Sequence, residues 1–176
     1  MIVLKPPNKQ DPDDIEFLIQ VINESSDTLL DDRVFNVDTL LEKIFSGVSA
    51  KPIAFLCYKD GVRIGYLSAI IDVFDIAWLE SAAAVGYKNF FSSRAALYEY
   101  CKYLFEEIGV YKIKCQVPMF DKRKMSPPEA VAKSIGFRKE GMGKAEFLKD
   151  NRYYDFLELA LFPQYLTKER RCHVIR

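Results

Sequence analysis

Histidine is almost missing from this 176-residue chain: His173, close to the C-terminus, is the only one. That argues against Ser-His-Asp or Cys-His catalysis, which needs an imidazole beside the nucleophile. Net charge is missing too, with 25 Lys and Arg against 25 Asp and Glu, so no global field draws the protein to nucleic acid or to an anionic membrane. The four cysteines, Cys57, Cys101, Cys115 and Cys172, form no Cys-x-x-Cys pair, which leaves a zinc site poorly supported and makes reduced thiols the expectation. No apolar run reaches the roughly 18 residues of a membrane span, and the start MIVLKPPNKQDPDD lacks the apolar core of a signal peptide. The expectation is a soluble, cytoplasmic protein. Its 49% hydrophobic content is enough for one compact core.

The strongest pattern present lies between Ala82 and Gly109. Leu97, Tyr100, Cys101, Leu104 and Ile108 recur at helical spacing and predict one core-facing stripe, with Ser92 or Ser93 as N-cap and Gly109 at a left-handed C-cap. Asp11-Pro12-Asp13-Asp14 predicts a helix start, followed by a stripe of Ile15, Leu18, Ile19 and Ile22. A second helix is expected after Asn36 or Asp38, with Val37, Leu40, Leu41 and Ile44 buried and Gly47 as its stop. Strands follow: Ile53 to Tyr58, an Asp60-Gly61 hairpin turn, Val62 to Val73, then Ile76 to Val85 with Trp78 and Glu80 on one face. Lys112 to Val117 enters from a helix, which suggests a parallel neighbour. Ser126-Pro127-Pro128-Glu129 reads as a capping box, and the helix it opens closes at Gly136. Two further strands flank Asp150-Asn151, and Pro163 ends the last of them.

This order, with the segments SRAALYEYCKYLFEEIGVYKIKCQV and AVAKSIGFRKEGMGKAEFLKDNRYYDFLELALF, resembles the Gcn5-related N-acetyltransferase family, in its ribosomal-protein and aminoglycoside-type branch. The best-matched part holds Ala132, Gly136, Phe137, Glu140, Gly141, Tyr154 and Asp155. The resemblance implies a mixed α/β (α+β) fold: a mostly antiparallel sheet of about seven strands with helices on both faces. Residues 1–162 would form the domain and 163–176 a basic tail. It further implies that the strands Ile76–Val85 and Lys112–Val117 splay to admit the pantetheine arm of acetyl-CoA. The pyrophosphate would then sit on the loop before the central helix, and the acceptor amine would attack directly once a carboxylate has taken its proton.

On these grounds Glu80 is the candidate base, and Val85, Lys88, Phe91, Ser92, Ser93 and Arg94 are the candidate cofactor-binding residues. Tyr87, Tyr111, Tyr153 and Tyr154 are weighed as general acids. The chain departs from the family pattern where Phe91 and Ser93 stand at the usual glycine positions, and where Met125 stands near an expected Asn. Glycine serves there because the backbone must approach the pyrophosphate without a Cβ in the way. Three functions are therefore weighed: an acetyl-CoA-dependent N-acetyltransferase acting on a protein N-terminus, a lysine or a small amine; an inactive protein of this fold serving a larger assembly; and a binder of another ligand. Residues 167–176, basic and ending in Val174 and Ile175, are the expected contact with a protein partner.

Overall fold

The computed structural model describes residues 1–24, 51–83, 90–121, 124–149 and 152–168; for residues 22, 24, 81–83, 90, 91 and 145–149 it describes the backbone alone. The expected second helix, after Asn36 or Asp38, lies outside the described residues. The strands form one seven-stranded sheet in the order β1-β2-β3-β4-β5-β7-β6. The chain divides into two compact units, Met1–Ile70 with Leu79–Ser92, and Ile71–Trp78 with Ser93–Arg176.

The first unit begins with β1 (Ile2–Lys5), antiparallel to β2 (Phe55–Lys59), which in turn pairs antiparallel with β3 (Val62–Ile71). The hairpin between β2 and β3 turns on Asp60 and Gly61, both at positive φ, the two-residue geometry that Asp-Gly favours. Between β1 and β2 in sequence, α1 (Pro12–Glu24) starts where expected. The carbonyl of Asp11 accepts from the Ile15 N–H, and its carboxylate accepts from the Asp13 N–H at 3.0 Å. This is side-chain capping of a helix start. The buried face differs from the expected stripe: Leu18 and Val21 are buried against Leu56 and Tyr66, with Phe17 and Ile19 partly buried beside them.

One polar side chain is buried with them. Asp14 accepts from the Asn8 N–H at 2.9 Å, from Arg63 Nε and Nη2 at 3.0 and 2.7 Å, and from the Tyr58 hydroxyl at 3.4 Å. The carboxylate thus replaces its lost water with four donors, the condition under which a buried charge is tolerated. The hydrogen bond to Asp14 in turn raises the Arg63 pKa above its ordinary value.

In the second unit the start of β4 (Ile76–Ala83) pairs parallel with β5 (Lys112–Pro118), as a strand entered from a helix suggests; the ladder runs Ile76↔Lys112, Ala77↔Ile113, Trp78↔Lys114. On its other side β5 runs antiparallel to β7 (Arg152–Leu161), which pairs with β6 (Arg138–Lys149). The central helix, α2 (Phe90–Tyr103), continues into a π-helical turn over Leu104–Ile108 and stops at Gly109, φ 88°. Tyr100, Cys101 and Leu104 are fully buried as expected, joined by Ala96, whereas Leu97 and Ile108 are only half-buried. The wide turn explains the miss at Ile108: five residues between donor and acceptor rotate it off the 3.6-residue stripe.

Ser126 caps α3 (Pro127–Ser134), its hydroxyl accepting from the Glu129 N–H, while the Glu129 carboxylate pairs with Lys133 one turn on. Gly136 follows at φ 116°, and a Cβ there would stand 1.9 Å from the Tyr165 carbonyl oxygen. Only glycine admits that approach. The same segment is fastened at further points: Thr167 N–H donates to the Ile135 carbonyl at 3.0 Å, the Arg138 guanidinium lies 3.5 Å over the Tyr165 ring, and Lys168 lies 3.7 Å from Glu99. Residues 163–168, where the basic tail begins, are therefore packed on this unit; residues 169–176 lie outside the described residues.

Candidate active site

Glu80 sits half-buried on β4, in the first unit. The Ser68 hydroxyl, on β3, donates to its Oε2 at 3.1 Å. Ser68 is itself only 7% exposed, and Tyr66, two residues earlier and so on the same strand face, is 4% exposed. Burial pushes the Tyr66 phenol well above the usual tyrosine range, the Glu80 charge pushes it further, and a hydrogen bond shared with the Ser68 hydroxyl partly offsets both. Carboxylate, hydroxyl and phenol thus form one electrostatic group. The sequence reading names Glu80 alone. Tyr66 and Ser68 at i and i+2 on a strand were the available signal, but nothing local to them points across to Glu80.

The expected cofactor residues fall unevenly. Val85 and Lys88, with Tyr87, lie outside the described residues. Phe91, Ser92 and Ser93 are not in a loop and neither serine is an N-cap: the helix already begins at Phe90, so all three belong to its first turn. A first turn leaves backbone N–H groups without intrahelical partners, and this one contains no acidic residue to occupy them. Ser92 is buried and Ser93 half-buried. Arg94 does not present its guanidinium as loose positive charge; Nη2 donates to the carbonyl of Ser134 at 3.5 Å and to that of Lys168. It ties α2 to α3 and to the segment after β7.

The weighed general acids are scattered. Tyr111 and Tyr153 are largely exposed, and Tyr154 packs edge-on against Phe120 with ring centroids 5.1 Å apart. Met125 is exposed.

A second polar group, unforeseen, lies on the second unit's sheet. Lys114 bonds Glu158 and, at 3.1 Å, Glu140; Lys112 bonds Glu140; and the Lys114 ammonium lies 4.7 Å over the Trp78 ring. Burial opposes the Lys114 charge, but the bonds to Glu158 and Glu140 outweigh it and raise the pKa. Burial likewise opposes the Glu140 carboxylate, and the two lysines hold its pKa below the ordinary value. The Trp78 indole N–H donates to Asp72 at 3.3 Å, and the same carboxylate accepts from the Phe74 and Ile76 N–H groups. With every charge paired, this lattice reads as a structural fastening. Among the described residues no group of three or more His, Cys, Asp or Glu is arranged to hold a metal ion, and no helix is long and apolar enough to cross a membrane.

No family model and no curated protein sequence matches the chain. Solved structures do match. A spermidine N-acetyltransferase from Vibrio cholerae, in complex with CoA and spermine, superposes with a TM-score of 0.75 at 19% identity over 93% of this chain and 96% of its own. A ribosomal-protein-alanine N-acetyltransferase from Brucella melitensis gives 0.74 at 16% identity over 91% and 99%. The seven-stranded, mostly antiparallel sheet with its helices thus matches the fold of solved acetyltransferases, and the chain has the fold of the Gcn5-related N-acetyltransferases.

Proposed function

We propose that the protein is an acetyl-CoA-dependent N-acetyltransferase that acetylates an amine by direct attack. The observation that carries this reading is Glu80, a half-buried carboxylate on β4 fixed by the Ser68 hydroxyl. In the reaction Glu80 takes a proton from the acceptor ammonium, which frees the nitrogen lone pair to attack the acetyl carbonyl carbon; as the carbon–sulfur bond breaks, coenzyme A leaves as its thiolate and takes up the second proton that the acylated nitrogen sheds. Acetyl-CoA supplies the activated thioester. The chain's contribution at its phosphates is backbone: the first-turn N–H groups of α2, at the positive end of the helix dipole and free of acidic side chains, suit a pyrophosphate. Ser93 is the half-buried hydroxyl nearest that end, and Lys88 and Val85 complete the proposed set. Arg94 contributes by holding α2 in place through Ser134 and Lys168. Spermidine and an alanine-terminated peptide, chosen for what the two structural neighbours are named for, are the acceptors to test first.

A second reading, an inactive protein of this fold in an assembly, draws on the engaged Arg94 and on the side chains at the glycine positions. Calorimetric titration with acetyl-CoA separates the two. Micromolar binding keeps the enzyme, and no binding at millimolar ligand leaves the assembly component.

A further inference from the structure

We propose that Ser68 is a positioning residue for Glu80; this rests on the acetyltransferase reading above. A serine at 7% exposure on the middle of β3, between Leu67 and Ala69, gives up hydration that an alanine there would not have to give up. The position therefore needs a use for its hydroxyl. A serine has one O–H to donate, and this one goes to Glu80 Oε2 at 3.1 Å.

A glutamate reaches its carboxylate through several rotatable bonds, so a base on this stem is poorly aimed unless one oxygen is fixed. Ser68 fixes Oε2. Tyr66 backs it from the same face of β3: its buried ring packs with Leu18, Val21 and Leu56, so the wall behind Ser68 belongs to the core of this unit. Strand and hydroxyl together hold Oε2 in place before an acceptor arrives. Ser68 keeps its own hydrogen throughout. The proton from the amine ends on Glu80, and no transfer passes through the hydroxyl.

The test is a double-mutant cycle on the full chain, with acetyl-CoA as donor and spermidine or an alanine-terminated peptide as acceptor, beside crystal structures of the parent and Ser68→Ala. Ser68→Ala is expected to lower kcat by about tenfold, the effect of one hydrogen bond to a charged group, with acetyl-CoA affinity and thermal midpoint close to the parent's. Ser68→Thr, which keeps the hydroxyl, should recover most of the rate. In a Glu80→Gln background Ser68→Ala should cost nothing further, because its effect runs through Glu80. In the crystal, the Glu80 side chain should be ordered in the parent and spread over rotamers in Ser68→Ala. An unchanged kcat, losses that multiply in the double variant, or one and the same ordered Glu80 in both structures would each overturn the proposal. Disordering of Glu80 in Ser68→Ala, in a protein whose parent neither binds acetyl-CoA nor acetylates either amine, would keep the positioning and remove the acetyltransferase reading.

Discussion

Two helix N-termini in this molecule are built to opposite specifications. At α1 the chain places Asp11, Asp13 and Asp14 around the first turn, uses the Asp11 carboxylate on the Asp13 N–H, and clamps Asp14 to Arg63. Negative side chains there satisfy both the unpaired N–H groups and the helix dipole, so an external anion meets repulsion. At α2 the first turn is Phe-Phe-Ser-Ser, with no acid at all. The same backbone physics meets acidic side chains in one place and none in the other. Of the two, only the second suits an anion such as the pyrophosphate of the proposed reaction.

The largest break in this contrast is expected at Asp14. Asp14→Ala leaves Arg63 without its main partner and should cost about 3–5 kcal/mol, read as a shift in the denaturant midpoint. Leu104→Ala, at the fully buried far end of the α2 core stripe, is expected to cost about 2–5 kcal/mol in the same assay, which would show that α2 is firmly seated although its first turn holds no acid.

Ser93→Asp imports the α1 specification into α2. It should leave the fold intact or slightly more stable, while weakening acetyl-CoA binding by about tenfold or more in calorimetry, because a carboxylate now faces the phosphates. Unchanged affinity would place the phosphates elsewhere. The smallest effect is the reverse operation: Asp11→Ala removes the α1 cap and should cost about 1 kcal/mol, with acetyl-CoA binding untouched.

What could be read in advance follows the same divide between local and distant physics. The Asp60-Gly61 hairpin, the Ser126 cap and the left-handed stop at Gly109 were legible because each depends on residues within one turn of chain. The parallel β4–β5 step followed from a strand entered out of a helix. The Asp14–Arg63 pair, 49 residues apart, and the Lys114–Glu158 pair, 44 apart, carry no such local mark. At the candidate site Glu80 was legible as a carboxylate on a strand of the right kind, whereas nothing local to Ser68, 12 residues away across the β3–β4 turn, points to it as the partner. The start of α2 was misjudged because serine is a favoured cap, and two adjacent serines drew the boundary past Phe90 and Phe91.

The cysteines carry a practical consequence. Cys57 and Cys101 are buried and Cys115 is half-buried. Burial pushes the Cys57 and Cys115 thiols up to about 12 and the Cys101 thiol well above its ordinary value, so at neutral pH all three are protonated and slow towards reagents that need a thiolate. Cys57 belongs to the first unit, and Cys101 and Cys115 to the second. In a Cys172→Ser background the protein therefore carries its own unlabelled reporters: the time course of thiol labelling at each position, resolved by mass spectrometry, clocks the opening of the two units separately without any engineered probe.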